Sequence, residues 1–185
     1  MLLNTPICDF GWKAPDFTLK DPDGNRYTLS EQLGDKGLLV AFICNHCPYV
    51  QAIAERFVHD AKELQAEGIN VLAVMSNDYR HVEADSPSYM KEFAKQYGFT
   101  FPYLVDEDQS VGRAYKAVCT PDFFGFNQHG ELQYRGRIDD AAMGNPDNRT
   151  KELVNAMKQI ARTGKGPEHQ TASMGCSIKW SEDHD

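Results

Sequence analysis

The sequence predicts an α/β fold in which a central mixed β-sheet is flanked by helices. Two continuously apolar runs, residues 37–43 and 69–75, are typical of strands that are buried on both faces of a sheet. Between them, apolar residues recur at helical spacing from residue 48 to 67, and Gly68 follows where a helix commonly ends. Two buried strands joined by one helix form a βαβ unit, so we expect a right-handed crossover and a parallel strand pair.

Length, composition and charge limit the class of protein. A chain of 185 residues, 41% of them hydrophobic, suits a single domain over residues 1–185 with its own core. The formal charge of −8 disfavours a nucleic-acid partner, because the phosphate backbone is itself negative. Residues 1–10 lack the features of a signal peptide and no apolar run approaches membrane-spanning length, so we expect a cytoplasmic protein without a membrane partner. Five cysteines, an odd and low number, argue against a structural disulfide framework.

The remaining segments complete the predicted sheet and its helices. A Pro/Gly turn at residues 21–25 predicts an N-terminal β-hairpin over 17–30, with Ser30 capping a short turn. Downstream, the patterns predict helices over 88–97, 109–117 and from 148 or 150 to 162, and strands over 102–105, 123–126 and 131–136. The last two strands form an antiparallel hairpin at one side of the sheet. The tail, residues 163–185, contains apolar side chains, and we expect it to dock on the body of the domain.

Two polar segments are interpreted as ordinary loops. Residues 76–78, Ser-Asn-Asp, leave the second apolar strand at the sheet edge where α/β proteins carry their sites, but a polar loop with a helix cap accounts for them. A mixed-charge run at the end of the last predicted strand and beyond it is typical of a solvated loop; its members are Arg135, Arg137, Asp139 and Asp140.

A pair of thiols marks the junction between the first apolar strand and the amphipathic helix, in Cys44-Asn45-His46-Cys47-Pro48. A thiol at a helix N-terminus feels the positive end of the macrodipole, which favours the thiolate and lowers the pKa. Pro48 suits the first helical position, so Cys47 would be the N-cap and the better-activated thiol, with Cys44 upstream. In the alternative phase the helix starts earlier, Cys44 lies at its N-terminus, and Cys47 lies inside the first turn.

A C-x-x-C pair has three possible uses. It can be a redox dithiol, half of a zinc site completed by His46, His59 or Cys119, or two inert buried thiols. A second ligand pair at zinc spacing is missing from the sequence, and a C-x-x-C beside a βαβ pattern is the usual redox context. We therefore expect redox chemistry without a metal or cofactor. His46 either tunes the two thiols electrostatically or is an exposed loop histidine.

A proline at the start of a predicted strand, in Cys119-Thr120-Pro121, needs a sheet edge or an unusual peptide bond because it cannot donate to the ladder. Together these motifs resemble the thioredoxin-like superfamily, and within it the redoxin branch with the alkyl hydroperoxide reductase and thiol-specific antioxidant (AhpC/TSA) domain. The N-terminal hairpin resembles that branch, and the similarity covers residues 14–162. Thr120-Pro121 resembles the cis-proline that faces the active-site cysteines. The resemblance therefore implies a cis bond here and makes Cys119 either a second resolving thiol or a buried structural one.

The chain also resembles one bacterial subfamily of this branch, but it departs from the ordinary thioredoxin and peroxiredoxin patterns at several positions. Residues 44–50, 119–124, 134–136 and 175–180 together resemble a bacterial subfamily usually called thioredoxin family protein. Aligned on the strand, Cys47 falls on the thioredoxin nucleophile, while Val50 occupies the position of the ordinary resolving cysteine.

Cys47 and the following proline also resemble the peroxidatic pair of peroxiredoxins. However, the upstream proline and threonine of that family would fall at Val40 and Cys44. Its catalytic arginine, expected near Thr120, is absent, so groups that hold and polarise a peroxide are missing.

The residues and the resemblance together predict a thiol–disulfide oxidoreductase. The Cys47 thiolate attacks a protein or small-molecule disulfide, Cys44 resolves the mixed disulfide, and a cellular thiol reductant restores the dithiol. The alternative enzyme is a thiol peroxidase in which Cys47 becomes a sulfenic acid and condenses with Cys44 or Cys119. A third hypothesis is a redox-inert or metal-binding module that docks partners. Cys8 and Cys176 are taken as non-catalytic, and the sequence indicates no oligomeric state.

Overall fold

The computed structural model describes residues 1–184 as a mixed sheet flanked by helices. The strands of this part of the chain are β1 (Leu2–Asn4), β2 (Thr18–Lys20), β3 (Arg26–Thr28), β4 (Leu38–Phe42), β5 (Asn70–Met75), β6 (Tyr103–Val105), β7 (Cys119–Thr120), β8 (Asp122–Phe126), β9 (Leu132–Gly136) and β10 (Met174–Ser177). The α-helices are α1 (Leu29–Gln32), α2 (Pro48–Ala66), α3 (Pro87–Tyr97), α4 (Ser110–Ala114) and α5 (Glu152–Thr163), with 3₁₀ turns at Glu83–Asp85 and Ser181–His184. In these same residues, no helix is both long and apolar enough to cross a membrane.

The central sheet has the strand order β3-β2-β6-β5-β4-β8-β9, and β1-β10-β7 form a smaller sheet. Strand β4 pairs in parallel with β5 and antiparallel with β8, and β9 completes a hairpin at the edge. The predicted parallel crossover and edge hairpin are therefore confirmed, as is the N-terminal hairpin β2–β3. This mixed sheet with helices around it is the thioredoxin-like fold that the sequence predicts.

Alternate residues of β4 supply two separate cores. Leu39 and Ala41 face the core beneath α2, α3 and α5. Val40 and Phe42 face the second core, where the Phe42 and Tyr115 rings lie 5.7 Å apart. Burial on both faces fixes the register of β4, because a shift by one residue would exchange the two sets of side chains. The chain therefore leaves the carboxyl end of this strand at a fixed place, immediately before the two thiols.

Apart from shifts of one residue at the ends of several elements, two helices and one cap differ from the prediction. Helix α4 is shorter than predicted because Lys116 has a positive φ of 54°, which is incompatible with a right-handed helix. Ser30 lies inside α1 and does not cap it, and its amide donates to the Asp16 carboxylate. Helix α5 begins later than predicted because the Thr150 amide bonds the carboxylate of Asp140.

The charged run that begins in β9 and continues beyond it is only partly solvated, so the loop interpretation is wrong for two of its members, Arg135 and Asp139. Arg135 is 7% exposed, and its guanidinium donates to Asp122 with an N–O distance of 2.9 Å. Asp139 is 1% exposed and accepts hydrogen bonds from Arg56 and Arg149. Charged groups are buried almost only when they are paired, and both residues obey this rule inside the protein.

The tail runs across the body of the domain. Strand β10 pairs antiparallel with β7 on one side and with β1 on the other. Beyond it, Ile178 is buried in the second core. The Arg113 guanidinium lies over the ring of Trp180, 3.9 Å from the ring centroid. Apolar burial and strand pairing thus both hold the tail in place.

Loss of the Arg135 side chain is expected to destabilise the fold strongly. Arg135→Met leaves the buried Asp122 carboxylate without its partner, and breaking a buried ion pair in this way costs about 3–5 kcal/mol. Arg80→Met is the control, because the Arg80–Glu107 pair is exposed and such pairs contribute about 0–1 kcal/mol. Urea denaturation measures both free energies of unfolding. Equally small losses in the two variants would show that the buried pair does not hold the fold.

Candidate active site

Helix α2 begins at Pro48 with Cys47 as its N-cap, so the phase predicted from the proline is confirmed and the alternative phase is wrong. Cys44 lies upstream, in the turn that follows β4. Both side chains are almost completely covered, with exposed fractions of 1% for Cys44 and 0% for Cys47. Two thiols are thus enclosed at the carboxyl end of the central strand.

Cys47 carries the negative charge of the pair. A hydrogen bond from the Cys44 thiol lowers the pKa of Cys47 to about 4, although burial opposes this change. The Thr120 side chain, followed by the amides of Val50 and Cys176, also lowers this pKa by favouring the thiolate. In its protonated form, Cys47 Sγ donates to the Thr120 carbonyl oxygen at 3.3 Å.

Cys44 is the protonated partner. Its hydrogen bond to Cys47, its burial and the charge of Asp85 all favour the neutral thiol, so its pKa lies well above the ordinary value. The Cys44 sulfur also lies 3.5 Å from the Thr120 hydroxyl and 3.6 Å from Nδ1 of His46. The two cysteines therefore share one proton, and the charge is on the residue at the helix N-terminus.

A fully buried carboxylate, Asp85, holds the turn between the two cysteines. One of its oxygens accepts the amide N–H of Asn45 at 2.8 Å and that of His46 at 3.1 Å. The other accepts the Asn77 side-chain amide at 3.0 Å and lies 2.5 Å from Nδ1 of His46. These donors replace water around the buried charge, and at the same time they fix the path of the turn.

The same contact sets the charge states of His46 and Asp85. The hydrogen bond to Asp85 raises the pKa of His46, although partial burial opposes the charged imidazolium. Burial raises the pKa of Asp85, but hydrogen bonds from His46 and Asn77 outweigh it, and the resulting pKa lies below the ordinary value. The charge on Cys47 favours the imidazolium further and raises the pKa of His46. His46 is therefore a member of an ion pair beside the thiols, and the exposed-loop alternative is wrong.

The polar loop after β5 is part of the framework of the site. Asn77 donates to Asp85, and its side-chain oxygen accepts the Lys179 amide of the tail at 2.9 Å. The Tyr103 hydroxyl donates to the Asn45 side chain at 2.8 Å, which ties the cysteine turn to β6. The interpretation of this loop as an ordinary polar connection therefore missed its contribution to the site.

The Thr120–Pro121 peptide bond is cis and lies beside both cysteines, as the resemblance implied. Cys119 is fully buried, and its thiol donates to the Pro121 carbonyl oxygen at 3.7 Å. Burial raises the pKa of Cys119, and within residues 1–184 it makes no hydrogen bond to either active-site cysteine. The predicted residues that the structure brings together are Cys44, His46, Cys47, Thr120 and Pro121. Cys119 stays outside this network.

Besides Asn77 and Tyr103, sequence reasoning missed two further residues that contact the thiols or their turn, Asp85 and Cys176. Asp85 ends the 3₁₀ turn before α3, and Cys176 lies in β10. Neither residue has a local pattern that marks it, because a single Asp in a polar loop and a single Cys in a tail are common. Only the pairing of the tail and the path of the loop after β5 bring them to the site.

A metal-like set of donors is present beside the thiols. One sulfur, one nitrogen and one oxygen, from Cys44, His46 and Asp85, lie within 4.8 Å of one another. Both Asp85 oxygens already accept hydrogen bonds, so a metal would have to replace the bond between His46 and Asp85. His59, a possible zinc ligand from the sequence, lies about 18 Å along the α2 axis from Cys47. These donors satisfy one another, and the fit to a zinc site is poor.

Comparison with known proteins identifies the family of this chain. The model of the AhpC/TSA family matches residues 10–135, which is more than half of the chain. A solved structure of an uncharacterized conserved protein from Geobacillus kaustophilus is 38% identical in sequence to this chain. The two structures superpose with a TM-score of 0.91, covering 98% of this chain and 97% of that chain.

Two relatives are named for redox activities. The chain is 29% identical over 122 residues to the thiol-disulfide oxidoreductase ResA of Bacillus subtilis, a match that covers 66% of this chain and only 64% of ResA. It is 27% identical over 130 residues to Rv2521 of Mycobacterium tuberculosis, provisionally named a peroxiredoxin, with 70% of this chain and 78% of that protein covered. From the family match and the thioredoxin-like fold, the chain belongs to the AhpC/TSA family.

Proposed function

We propose that the protein is a thiol–disulfide oxidoreductase that reduces a substrate disulfide through Cys47 and Cys44. The observation that carries this proposal is the unequal pair, with one thiolate at the helix N-terminus and one protonated thiol beside it. Thiol–disulfide exchange needs a thiolate for the first attack and a second thiol to complete the reaction. The pair supplies both.

In the first step, the Cys47 thiolate attacks one sulfur of the substrate disulfide. A Cys47–substrate disulfide forms, and the other substrate sulfur leaves as a thiolate and takes up a proton. In the second step, Cys44 loses its proton and attacks the Cys47 sulfur. The Cys44–Cys47 disulfide forms, and the first substrate sulfur leaves and is protonated. The substrate gains two electrons and two protons, and a cellular thiol reductant returns the protein to its dithiol form.

His46 assists the second step in this mechanism. Its Nδ1 lies 3.6 Å from the Cys44 sulfur, so a positive imidazolium stabilises the negative charge that develops on that sulfur. Asp85 is a positioning residue, because it holds the imidazolium in its charged form and in this orientation. Because the imidazolium stabilises the Cys44 thiolate, it also makes the Cys44–Cys47 disulfide easier to reduce back to the dithiol.

A cavity of about 250 Å³ beside the cis-proline offers a place for the substrate chain. Its walls are largely apolar and include Tyr49, Ile53, Pro121, Met143 and Met174. An apolar cavity of this kind fits a side chain that flanks the substrate disulfide. This supports a peptide or protein disulfide over a small polar disulfide as the substrate.

A thiol peroxidase is the rival function, and the likeness to Rv2521 is its support. Peroxide reduction would be favoured by a cation against the Cys47 sulfur. The groups that most strongly lower the pKa of Cys47 are thiol, hydroxyl and amide donors. Arg135, on the strand paired with β8, is occupied by Asp122 and by the Lys116 carbonyl oxygen. The site is therefore better suited to disulfides than to peroxides.

We also propose that the protein works in the cytoplasm. A reducing compartment keeps a cysteine pair in the dithiol form that the first step requires. Cell fractionation followed by immunoblotting measures the location independently of any activity.

Side-by-side assays test the proposed function. The reduced protein is expected to reduce a protein disulfide, such as that of insulin, at least about tenfold faster than it consumes hydrogen peroxide. Cys47→Ser should lose the disulfide activity because the attacking thiolate is gone, and the Cys8→Ser control should keep it. Faster consumption of peroxide than of the protein disulfide would replace the proposal with the peroxidase.

The pH dependence of alkylation tests the assignment of the charge to Cys47. Iodoacetamide should modify one thiol of the wild type with a midpoint near pH 4, while Cys8, Cys119 and Cys176 stay protonated because burial raises the pKa of each. Cys44→Ala removes the main donor to the thiolate. Such a charge-assisted bond is worth about 1.5–3 kcal/mol, so the midpoint should rise by roughly one to two pH units.

Cys44→Ser is the matched control for this experiment. Its hydroxyl still donates to Cys47, so the midpoint should stay closer to that of the wild type than in Cys44→Ala. A thiol that reacts in acid in Cys47→Ser would contradict the assignment.

The Asp85→Asn substitution tests the ion pair between Asp85 and His46. The pKa of His46 is raised by Asp85, so Asp85→Asn should lower the titration midpoint of the His46 ring in NMR spectra. A histidine with a raised pKa stabilises the fold at acidic pH and loses this contribution as pH rises through its folded-state value. The variant should therefore lose more stability at pH 6 than at pH 9.

Asp106→Asn is the control, because Asp106 is also buried but bonds Ser76 and Gly112 and not His46. It should leave the His46 midpoint unchanged. An unchanged midpoint in Asp85→Asn would remove Asp85 from the proposed mechanism.

A further inference from the structure

The tail strand β10 lies directly over the loop that contains the cis Thr120–Pro121 bond, here called the active-site loop. It pairs antiparallel with β7, and the register places Cys176 opposite Thr120. Thr120 contacts both active-site sulfurs, with its hydroxyl 3.5 Å from Cys44 Sγ and its carbonyl oxygen 3.3 Å from Cys47 Sγ. Residues opposite each other in an antiparallel pair direct their side chains to the same face. The Cys176 side chain is therefore on the face of β7 where the two sulfurs lie.

The approach of the tail to this loop depends on a glycine. A Cβ atom at Gly175 would lie 1.9 Å from the Thr120 carbonyl oxygen and 3.2 Å from the Pro121 nitrogen. Any larger residue would push β10 away from the loop. Immediately before the strand, Ser173 donates to the Pro121 carbonyl oxygen at 2.7 Å. Cys176 is thus held against the cysteine pair by contacts on its N-terminal side.

Cys176 contacts Cys47 through both its backbone and its side chain. The Cys176 amide favours the Cys47 thiolate and lowers its pKa, and burial together with the neighbouring Cys47 sulfur raises the pKa of the Cys176 thiol. Cys176 also packs against the core that contains Cys44 and Cys47, but it is only partly buried. Three thiols therefore converge, and the Cys47 thiolate lies near two cysteines, Cys44 and Cys176, that could each form a disulfide with it.

We propose that Cys176 is a second resolving cysteine, which competes with Cys44 for the disulfide formed between Cys47 and the substrate. In this step Cys176 loses its proton and its sulfur attacks the Cys47 sulfur. The Cys47–substrate bond breaks, a Cys47–Cys176 disulfide forms, and the substrate sulfur leaves and takes up a proton. The two electrons that reduce the substrate come from the conversion of the Cys47/Cys176 dithiol to a disulfide, so no further oxidant is needed. The inference rests on the proposed function, because it requires the mixed disulfide at Cys47.

Cys119 does not fit this role, although it is also near the loop. It precedes Thr120 in β7, and successive residues of a strand point to opposite faces. Its thiol is fully buried and bonds the Pro121 carbonyl oxygen. Cys8 has no contact with Cys47 in the described part of the chain, and its thiol lies near Gln170 and Arg135.

A disulfide between Cys47 and Cys176 has a structural consequence that the Cys44–Cys47 bond lacks. It joins the tail covalently to the N-terminus of α2, so β10 stays closed over the active-site loop until a reductant cleaves it. The ordinary Cys44–Cys47 bond leaves the tail held only by strand pairing and packing. The choice of resolving cysteine therefore determines whether the oxidised protein has a fixed or a releasable tail.

Stoichiometric reaction with 5,5′-dithiobis(2-nitrobenzoate), an aromatic disulfide, separates the two resolving routes. All variants carry Cys8→Ala so that this half-buried background thiol is removed. In Cys44→Ala, the first thionitrobenzoate is released when Cys47 reacts, and a second is expected when Cys176 resolves the mixed disulfide. Peptide mapping by mass spectrometry should then find a Cys47–Cys176 disulfide. Adding Cys176→Ser should halve the release to one equivalent and leave Cys47 bound to thionitrobenzoate.

Adding Cys119→Ala instead should leave both equivalents, which excludes Cys119 as the source of the second. Circular dichroism spectra of the three variants check that each is folded, and Cys176→Ser changes only one atom of the side chain. Release of a single equivalent in Cys44→Ala, with Cys47 still bound to thionitrobenzoate, would overturn the role of Cys176 and leave the proposed function intact. No adduct at Cys47 in any variant would overturn both.

Discussion

The negative charge on Cys47 is the constraint around which the active site is built. The sulfur has no exposed surface, and an isolated buried anion would be protonated instead of stabilised. The helix macrodipole contributes about 0.3–1 kcal/mol, which is less than one pKa unit. The pKa of about 4 therefore depends on direct donors, above all the thiol of Cys44. Removing the dithiol arrangement would leave a helix N-terminus that is too weak by itself to hold a buried thiolate.

A second requirement follows, because those donors must stay in place. The turn that carries Cys44 is held by the buried carboxylate of Asp85 through the amides of residues 45 and 46. On the opposite side of the thiols, the Thr120–Pro121 loop is anchored by Asp122, whose carboxylate accepts the Val118 amide and pairs with Arg135. Each side of the site thus depends on a buried acid that is itself neutralised by a cation. Stability and reactivity share these two ion pairs, so a change in either acid affects both.

The sequence carries local information well and long-range information poorly. The strands over 37–43 and 69–75 follow from unbroken apolar runs, and the N-cap position of Cys47 follows from the proline after it, because these are properties of neighbouring residues. Arg135 and Asp139 look like a solvated charged run, since nothing in the sequence shows that Asp122 and Arg149 lie opposite them. Asp85 is 38 residues from Cys47 and Cys176 is 129 residues away, and single residues at such separations have no pattern that could reveal their contact.

The complete burial of Cys47 also limits how a substrate can reach it. A disulfide sulfur must approach to about 2.05 Å to bond, so some part of the cover must move. Movement of strand β4 would expose both cores, and movement of helix α2 would expose the first. The small sheet is a weaker element, because β7 has two residues, β1 has three and β10 has four, and β1 lies at its edge. Short strands with few buried contacts open at a lower free energy than the core does. Release of β10 would expose the edge of β7 to an extended peptide while uncovering the thiolate, so access and recognition depend on the same movement.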